Sequence, residues 1–219
     1  MMEDLEGNGM LTKEQYLAAP CKAASIPYWK ATSITIPDGM KILHHDEYDA
    51  AEYQQYIDEP YFRLIHNLKG LSKPVLPQGY SLCTATLSEY AAHISTCYEG
   101  IGITEEELWS YKTRSVYDEV LWLAVKDNQT DCIVASGIAE LDREIGEGVL
   151  EWIQVSQSHR GKGLGRYVVS ELLWRLKSKA GFATVSGQCN NATNPERLYR
   201  KCGFTGNDVW HILRKGMYV

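Results

Sequence analysis

Positions 159–169, HRGKGLGRYVV, bring together glycines at 161, 163 and 165 and the basic side chains of His159, Arg160, Lys162 and Arg166. Glycine lets a backbone approach a ligand that a Cβ would repel. The apolar period that follows, Leu164, Val168, Val169, Leu172, Leu173 and Leu176, predicts an amphipathic helix to about Lys179. Its unpaired first N–H groups and positive dipole end converge on the same loop. The chemistry implied is the binding of phosphate, and of more than one. Just upstream, Glu151 stands in the apolar run GVLEWIQV, where a carboxylate is unexpected and marks a candidate base. By strand alternation it shares a face with Ile153 and Val155, with Trp152 and Gln154 on the other.

These residues need elements to hold them. VLWLAV, CIVASGIAEL and GVLEWIQV, joined by turn-prone KDNQTD and DREIGEG, predict an antiparallel meander. A full helix separates GVLEWIQV from the next strand, FATVSGQC, so these two are expected to run parallel through a right-handed crossover. Asn194 as N-cap, Pro195 at the first helical position and Gly203 past the end delimit a helix over PERLYRKC, and VWHILRK closes the sheet. Before the meander, GYSLCTAT reads as a strand. The capping boxes Thr86-x-x-Glu89 and Thr104-x-x-Glu107 open two helices, the first with Leu87, Tyr90, Ala91, Ile94 and Tyr98 at helical spacing.

Pro74 and Pro77 bracket KPVLPQG ahead of this alternation and set a boundary. Residues 1–75 are expected to be an extension packed on a main domain of residues 76–219, being few and polar for a core of their own. Within the extension, Thr12-x-x-Gln15 opens a helix, TSITI and YFRLIHNL read as strands, and EYDAAEYQQYI as a polar helix. His44 and His45, being adjacent, cannot both face one metal from a strand, and read as surface residues.

Two familiar phosphate loops are excluded. G-x-x-x-x-G-K-S/T does not occur, and the dinucleotide fingerprint needs a glycine where Arg166 stands. Both also follow the first strand of a parallel sheet, whereas this loop follows a meander late in the chain. Arg160-x-x-Gly163-x-Gly165 instead resembles the acetyl-coenzyme A signature, Q/R-x-x-G-x-G/A, of the GCN5-related N-acetyltransferases (GNAT). LYRKCGF at 198–204 is similar to that family's second motif, and with the order of elements it extends the resemblance over roughly residues 79–215.

The resemblance implies a mixed α/β fold: a central, mostly antiparallel sheet with one parallel β-α-β step and flanking helices. It implies transfer of the acetyl group of acetyl-CoA to a primary amine of a small molecule or peptide, by direct attack in a ternary complex and without a metal. On the family's pattern, backbone groups of Ile153 and Val155 pair with the pantetheine arm. Arg160, Gly161, Lys162, Gly163, Leu164, Gly165 and Arg166 cradle the diphosphate, and the two parallel strands splay to admit the thioester. Glu151 takes the proton of the acceptor amine, often through water, and the N–H of Val155 polarises the thioester carbonyl. Tyr199 matches the general acid that protonates the leaving thiolate. An asparagine precedes that tyrosine at a fixed distance in the family. Here Asn190, Asn191 and Asn194 compete across one extra loop residue; Asn194 suits the helix cap, and the coenzyme contact stays open among the three.

Composition bounds the rest. The chain has 219 residues, 44% apolar and 23% charged, an ordinary globular balance, with a net charge of −6. That charge argues against a nucleic-acid partner and favours cationic acceptors such as polyamines or lysine-like groups. Cys21, Cys83, Cys97, Cys132, Cys189 and Cys202 form no C-x-x-C pair, so zinc and dithiol spacings are missing, and they read as reduced, mostly core residues. The acidic start MMEDLEGNGM is unlike a secretory signal and no run reaches membrane-spanning length, giving an expected cytoplasmic location with no membrane partner. A monomer and a homodimer both fit. Two other readings compete with the enzyme: a catalytically silent acetyl-CoA-binding regulatory or interaction module, and a site for a different phosphate ligand such as a nucleotide.

Overall fold

The computed structural model describes residues 11–31, 35–98, 100 and 102–215. Helices α1 (Lys13–Ala18), α2 (Pro20–Ala23) and α3 (Tyr28–Ala31) lead into strands β1 (Met40–His44), β2 (Tyr56–His66) and β3 (Tyr80–Cys83). Helices α4 (Leu87–Cys97) and α5 (Glu105–Lys112) precede the meander β4 (Trp122–Asp127), β5 (Ile133–Asp142) and β6 (Glu147–Val155). Helix α6 (Leu164–Leu176), strand β7 (Phe182–Gln188), helix α7 (Pro195–Lys201) and strand β8 (Thr205–Lys215) complete the chain order. Among the described residues the strands form one mixed sheet, in the order β1-β8-β2-β7-β6-β5-β4-β3, mostly antiparallel with β6 and β7 as its parallel pair.

The chain divides into two compact units, which do not follow chain order. One takes the described residues of 1–64, 186–192 and 206–219; the other takes 65–185 and 193–205. In the second unit, both sheet faces are covered. Tyr90, Ala91, Ile94, Ile103 and Leu108 bury an apolar cluster against Ala124 and Ile138, with Tyr98, Tyr111, Trp122 and Trp152 packed on it. The Thr86 and Thr104 capping boxes that start α4 and α5 are both closed reciprocally. Helix α6 lies on the other face, close enough that a Cβ at Gly137 would come within 2.5 Å of Val168, and one at Gly148 within 2.5 Å of Leu176. These two glycines let the helix touch the strand backbone.

The first unit is organised by a buried cation. Arg63, 2% exposed, donates to the Tyr16 hydroxyl (2.9 Å), the Ser25 carbonyl (3.1 Å) and the Ser186 hydroxyl (3.2 Å). Strand β8 pairs antiparallel with β1, from Met40↔Arg214 to His44↔Trp210, and the Trp210 indole N–H donates to the Cys21 carbonyl at 2.8 Å. The Thr12 box opens α1 as expected. Three expectations here fail. Thr35 and Ile36 are not strand, the rest of TSITI lying outside the described residues. EYDAAEYQQYI is not a helix: Asp49 accepts from the Ala51 N–H in an Asx turn (2.9 Å), and β2 already begins at Tyr56. His44 is buried, its Nε2 on Asp208 at 3.1 Å, while His45 is exposed. Of the six cysteines only Cys21 is buried, and Cys132 and Cys189 are exposed. No helix among the described residues is long and apolar enough to cross a membrane.

Candidate functional site

The site starts where two strands part. The parallel register of β6 and β7 runs from Glu147↔Phe182 to Leu150↔Val185 and stops there, although β6 continues to Val155. Ser136 pairs with Gln154, and the Ser156 N–H donates to the Val134 carbonyl at 2.9 Å, so Gln154 and Ser156 turn their backbone groups toward β5. By alternation, Ile153 and Val155 turn theirs to the opposite edge. Two side chains reach that edge: the Tyr98 hydroxyl donates to the Ile153 carbonyl and the Arg160 Nε to the Val155 carbonyl, each at 3.2 Å.

A register shift between Gly137 and Ala139 sets Ile138 alone opposite two residues of β6, Glu151 and Trp152. This is a β-bulge, and it resets the alternation of the strand. Ile153 and Val155 therefore face α6, as the Gly137 and Gly165 neighbourhoods show, without Glu151 following them in simple parity. The bulge corrects the alternation expected for Glu151.

Beyond β6, Gly161 (φ +78°) and Gly163 (φ +85°) adopt the left-handed conformation that side chains resist. Gly163 is the N-cap of α6 and carries no side chain to satisfy the helix's first N–H groups, which leaves those of Leu164, Gly165 and Arg166 available to an anion. Leu164 can offer only backbone, since its side chain is buried; Lys162 and Arg166 are exposed. Gly165 is small for a different reason. A Cβ there would sit 3.2 Å from Leu198 and 3.6 Å from Val155, so it seats α6 against both α7 and β6. His159 is drawn away from the loop's cations, its Nε2 facing Asp127 at 3.1 Å, and this contact together with the Gln129 N–H holds the Asp127 carboxyl below its ordinary range.

Tyr199 sits on α7, 5% exposed, its ring edge-on to Phe204 at 5.8 Å. Burial pushes its phenol far up, and Tyr98, Cys202 and Glu151 push it further, which places it within electrostatic reach of all three. Asn194 caps α7 from a left-handed conformation, its Oδ1 accepting the Arg197 N–H at 3.2 Å. The loop, Ile153, Val155, Glu151, Tyr199 and Asn194 thus belong to one compact unit, whereas Asn190 and Asn191 belong to the other. Tyr98 escaped the sequence reading because its helical spacing marked it only as apolar. Pro77, whose Cγ a Cβ on Gly163 would meet at 3.6 Å, was legible only as a boundary marker. Among the described residues no group of three or more His, Cys, Asp or Glu could hold a metal ion.

Residues 117–206, spanning the meander, the glycine loop, α6, β7 and α7, match the acetyltransferase (GNAT) domain family. Residues 117–206 therefore carry a GNAT acetyltransferase domain. No curated protein matches it in sequence. Among solved structures, a GCN5-related N-acetyltransferase from Sphaerobacter thermophilus is similar at 17% identity and a TM-score of 0.63, over 88% of this chain and 66% of that one. A GNAT-family acetyltransferase from Colwellia psychrerythraea is similar at 16% identity and a TM-score of 0.58, over 80% of this chain and 64% of that one. At these identities the likeness is one of fold, and this chain spans just under two thirds of either protein. The glycine loop lies inside the matched stretch, and acetyl transfer is the activity that family's description names.

Proposed function

We propose that the protein transfers the acetyl group of acetyl-CoA to a primary amine of a small molecule or peptide, by direct attack in a ternary complex. The observation that carries this reading is the continuity of one segment: the edge of β6 at Ile153 and Val155 runs straight into the left-handed glycines and the uncapped start of α6. A ligand that suits it has amides at one end and phosphates at the other, as coenzyme A does. A nucleotide would use only the phosphate half.

In the proposed reaction Glu151 accepts a proton from the acceptor ammonium, directly or through water. The amine nitrogen then attacks the thioester carbonyl, whose developing oxyanion the Val155 N–H stabilises. As the C–N bond forms, the C–S bond breaks and the coenzyme leaves as a thiolate, which takes a proton from Tyr199; the nitrogen gives up its second proton, through water, to the tyrosinate, so that the amide is neutral and the phenol is restored. The upward push on the Tyr199 phenol keeps it protonated throughout the working range, so a donor is always present. Arg160 to Arg166 hold the diphosphate. Asn194 spends its Oδ1 on the α7 cap and keeps its amide N–H groups for a coenzyme contact.

Thiol release from acetyl-CoA with spermidine, tyramine and a lysyl peptide as acceptors tests this. Glu151→Gln and Tyr199→Phe are each expected to lower kcat about 100-fold while leaving acetyl-CoA binding by calorimetry intact. Arg160→Glu should abolish that binding. Binding with no turnover on any amine would favour the silent module instead, and equal binding by Arg160→Glu would sink the reading of the loop.

A further inference from the structure

The bulge at Glu151 and Trp152 is gripped from one side by a chain of contacts that the reaction scheme does not use. Tyr98, at the C-cap of α4, holds it twice: its ring meets that of Trp152 edge-on at 5.8 Å and 77°, and its hydroxyl donates to the Ile153 carbonyl at 3.2 Å. The Trp152 indole N–H in turn donates to the Tyr111 hydroxyl on α5 at 3.4 Å. The Arg114 guanidinium lies over the Tyr111 ring, 3.4 Å from its centroid, and is anchored by the buried Glu140 carboxylate on β5 at 2.7 Å. The series Glu140, Arg114, Tyr111, Trp152, Tyr98 and the Ile153 carbonyl therefore closes on the second residue of the bulge, Trp152, and on Ile153 next to it.

Its consequence is directional. A bulge re-aims the side chain at its first position, but two residues facing one across a ladder have more freedom than a regular pair. Pinning the ring of Trp152 and the carbonyl of Ile153 removes that freedom on the C-terminal side of Glu151; the Leu150↔Val185 pair removes it on the N-terminal side. Burial supports the grip. The Tyr98 phenol is pushed up to about 12 by burial first, and so stays a hydrogen-bond donor to the carbonyl at any ordinary pH. Arg114 and Tyr111 gain from each other as a cation over a ring face.

We propose that Tyr98, with Trp152 and Tyr111 behind it, is a positioning residue that aims the Glu151 carboxylate by clamping the bulge. This rests on the reading of Glu151 as the proton acceptor. If the clamp acts through Glu151, it matters only while Glu151 is there to be aimed.

The test is a double-mutant cycle in the full chain, read as kcat with the best acceptor among spermidine, tyramine and a lysyl peptide. Tyr98→Phe keeps the ring contact and loses only the carbonyl bond. It is expected to lower kcat about 10-fold, of the order that small misplacements of a reacting group cost, with acetyl-CoA affinity by calorimetry unchanged within about twofold. In a Glu151→Gln background the same change should cost less than about twofold, because coupled residues are not additive. Tyr111→Phe, which keeps the ring under Arg114, should show the same pattern with a smaller loss. Equal losses in both backgrounds, or no loss in the wild-type background, overturn the clamp and leave the proposed function standing. A wild-type protein that binds acetyl-CoA and acetylates none of the amines overturns the proposed function and takes the clamp with it.

Discussion

His93 on α4 is 6% exposed, with Nδ1 2.8 Å from the Ser136 hydroxyl and Nε2 3.1 Å from the Ser156 hydroxyl, so it ties a helix to β5 and to the residue just past the end of β6. Burial pushes its imidazole down to about 4. In the unfolded chain it titrates near 6.5. Between those values the unfolded state takes up a proton that the folded state refuses. Stability is therefore fully present above about pH 6.5, is lost as pH falls toward 4, and loses nothing more from this group below that, a total of up to about 3 kcal/mol. His93→Gln should flatten that acid limb while lowering stability at neutral pH by about 1 kcal/mol for the altered hydrogen bonds. Urea midpoints from pH 3.5 to 8 for both proteins check this, and parallel curves would refute it. At this scale the sequence was informative where chemistry shows in the residue type, as with Arg160 and Gly163, and silent where it depends on a partner. Nothing in HISTCY says that its histidine meets two serines, or that Tyr98 meets a carbonyl, because both partners lie on strands elsewhere in the chain.

The elements were most legible at their starts. A capping box is written in four consecutive residues, and all three found in the sequence close reciprocally in the structure. The meander and its parallel step were legible from connection lengths alone. The bulge in β6 was not, since a register shift is a property of β6 and β5 together. Glycines in α6 and its strands separate stability from function at this scale. Gly148→Ala forces a Cβ to 2.5 Å from Leu176, at the end of the helix far from the loop, and should cost about 1–3 kcal/mol in thermal or urea unfolding with kcat/KM unchanged. Gly165→Ala meets Leu198 at only 3.2 Å, a contact that a shift of a few tenths of an ångström relieves. That shift moves α7, and Tyr199 with it, relative to the loop. The expected outcome is the reverse of Gly148→Ala: a melting temperature within a few degrees of wild type and kcat/KM down about 10-fold. A variant that loses stability and keeps its rate would show that Gly165 serves packing alone.

At the scale of the whole molecule, the prolines that bracket KPVLPQG suggested an extension followed by a domain, and the resemblance began only near residue 79. The compact units are woven differently through the chain: 186–192 and 206–215 group with residues ahead of 65. The bonds within that unit say why. Trp210 donates to the Cys21 carbonyl at 2.8 Å, His211 faces Asp58 at 2.9 Å, and β8 has β1 as an antiparallel partner. Arg63 donates to Tyr16, Ser25 and Ser186, which come from three separate stretches. A fragment of residues 76–219 keeps the whole GNAT match yet deprives β8 of β1, Trp210 of its carbonyl, His211 of its carboxylate and its stacked Tyr48. Each lost partner of a buried polar group costs about 1–3 kcal/mol, and together they approach the stability of an ordinary domain. The fragment is expected to be insoluble, or to melt at least about 10 °C below the full chain, and to bind acetyl-CoA weakly if at all. Differential scanning calorimetry with calorimetric titration of acetyl-CoA on both proteins decides it. A fragment that melts with the full chain and binds equally well would make residues 1–75 an appendage; the expected collapse would make them part of the fold that carries the site.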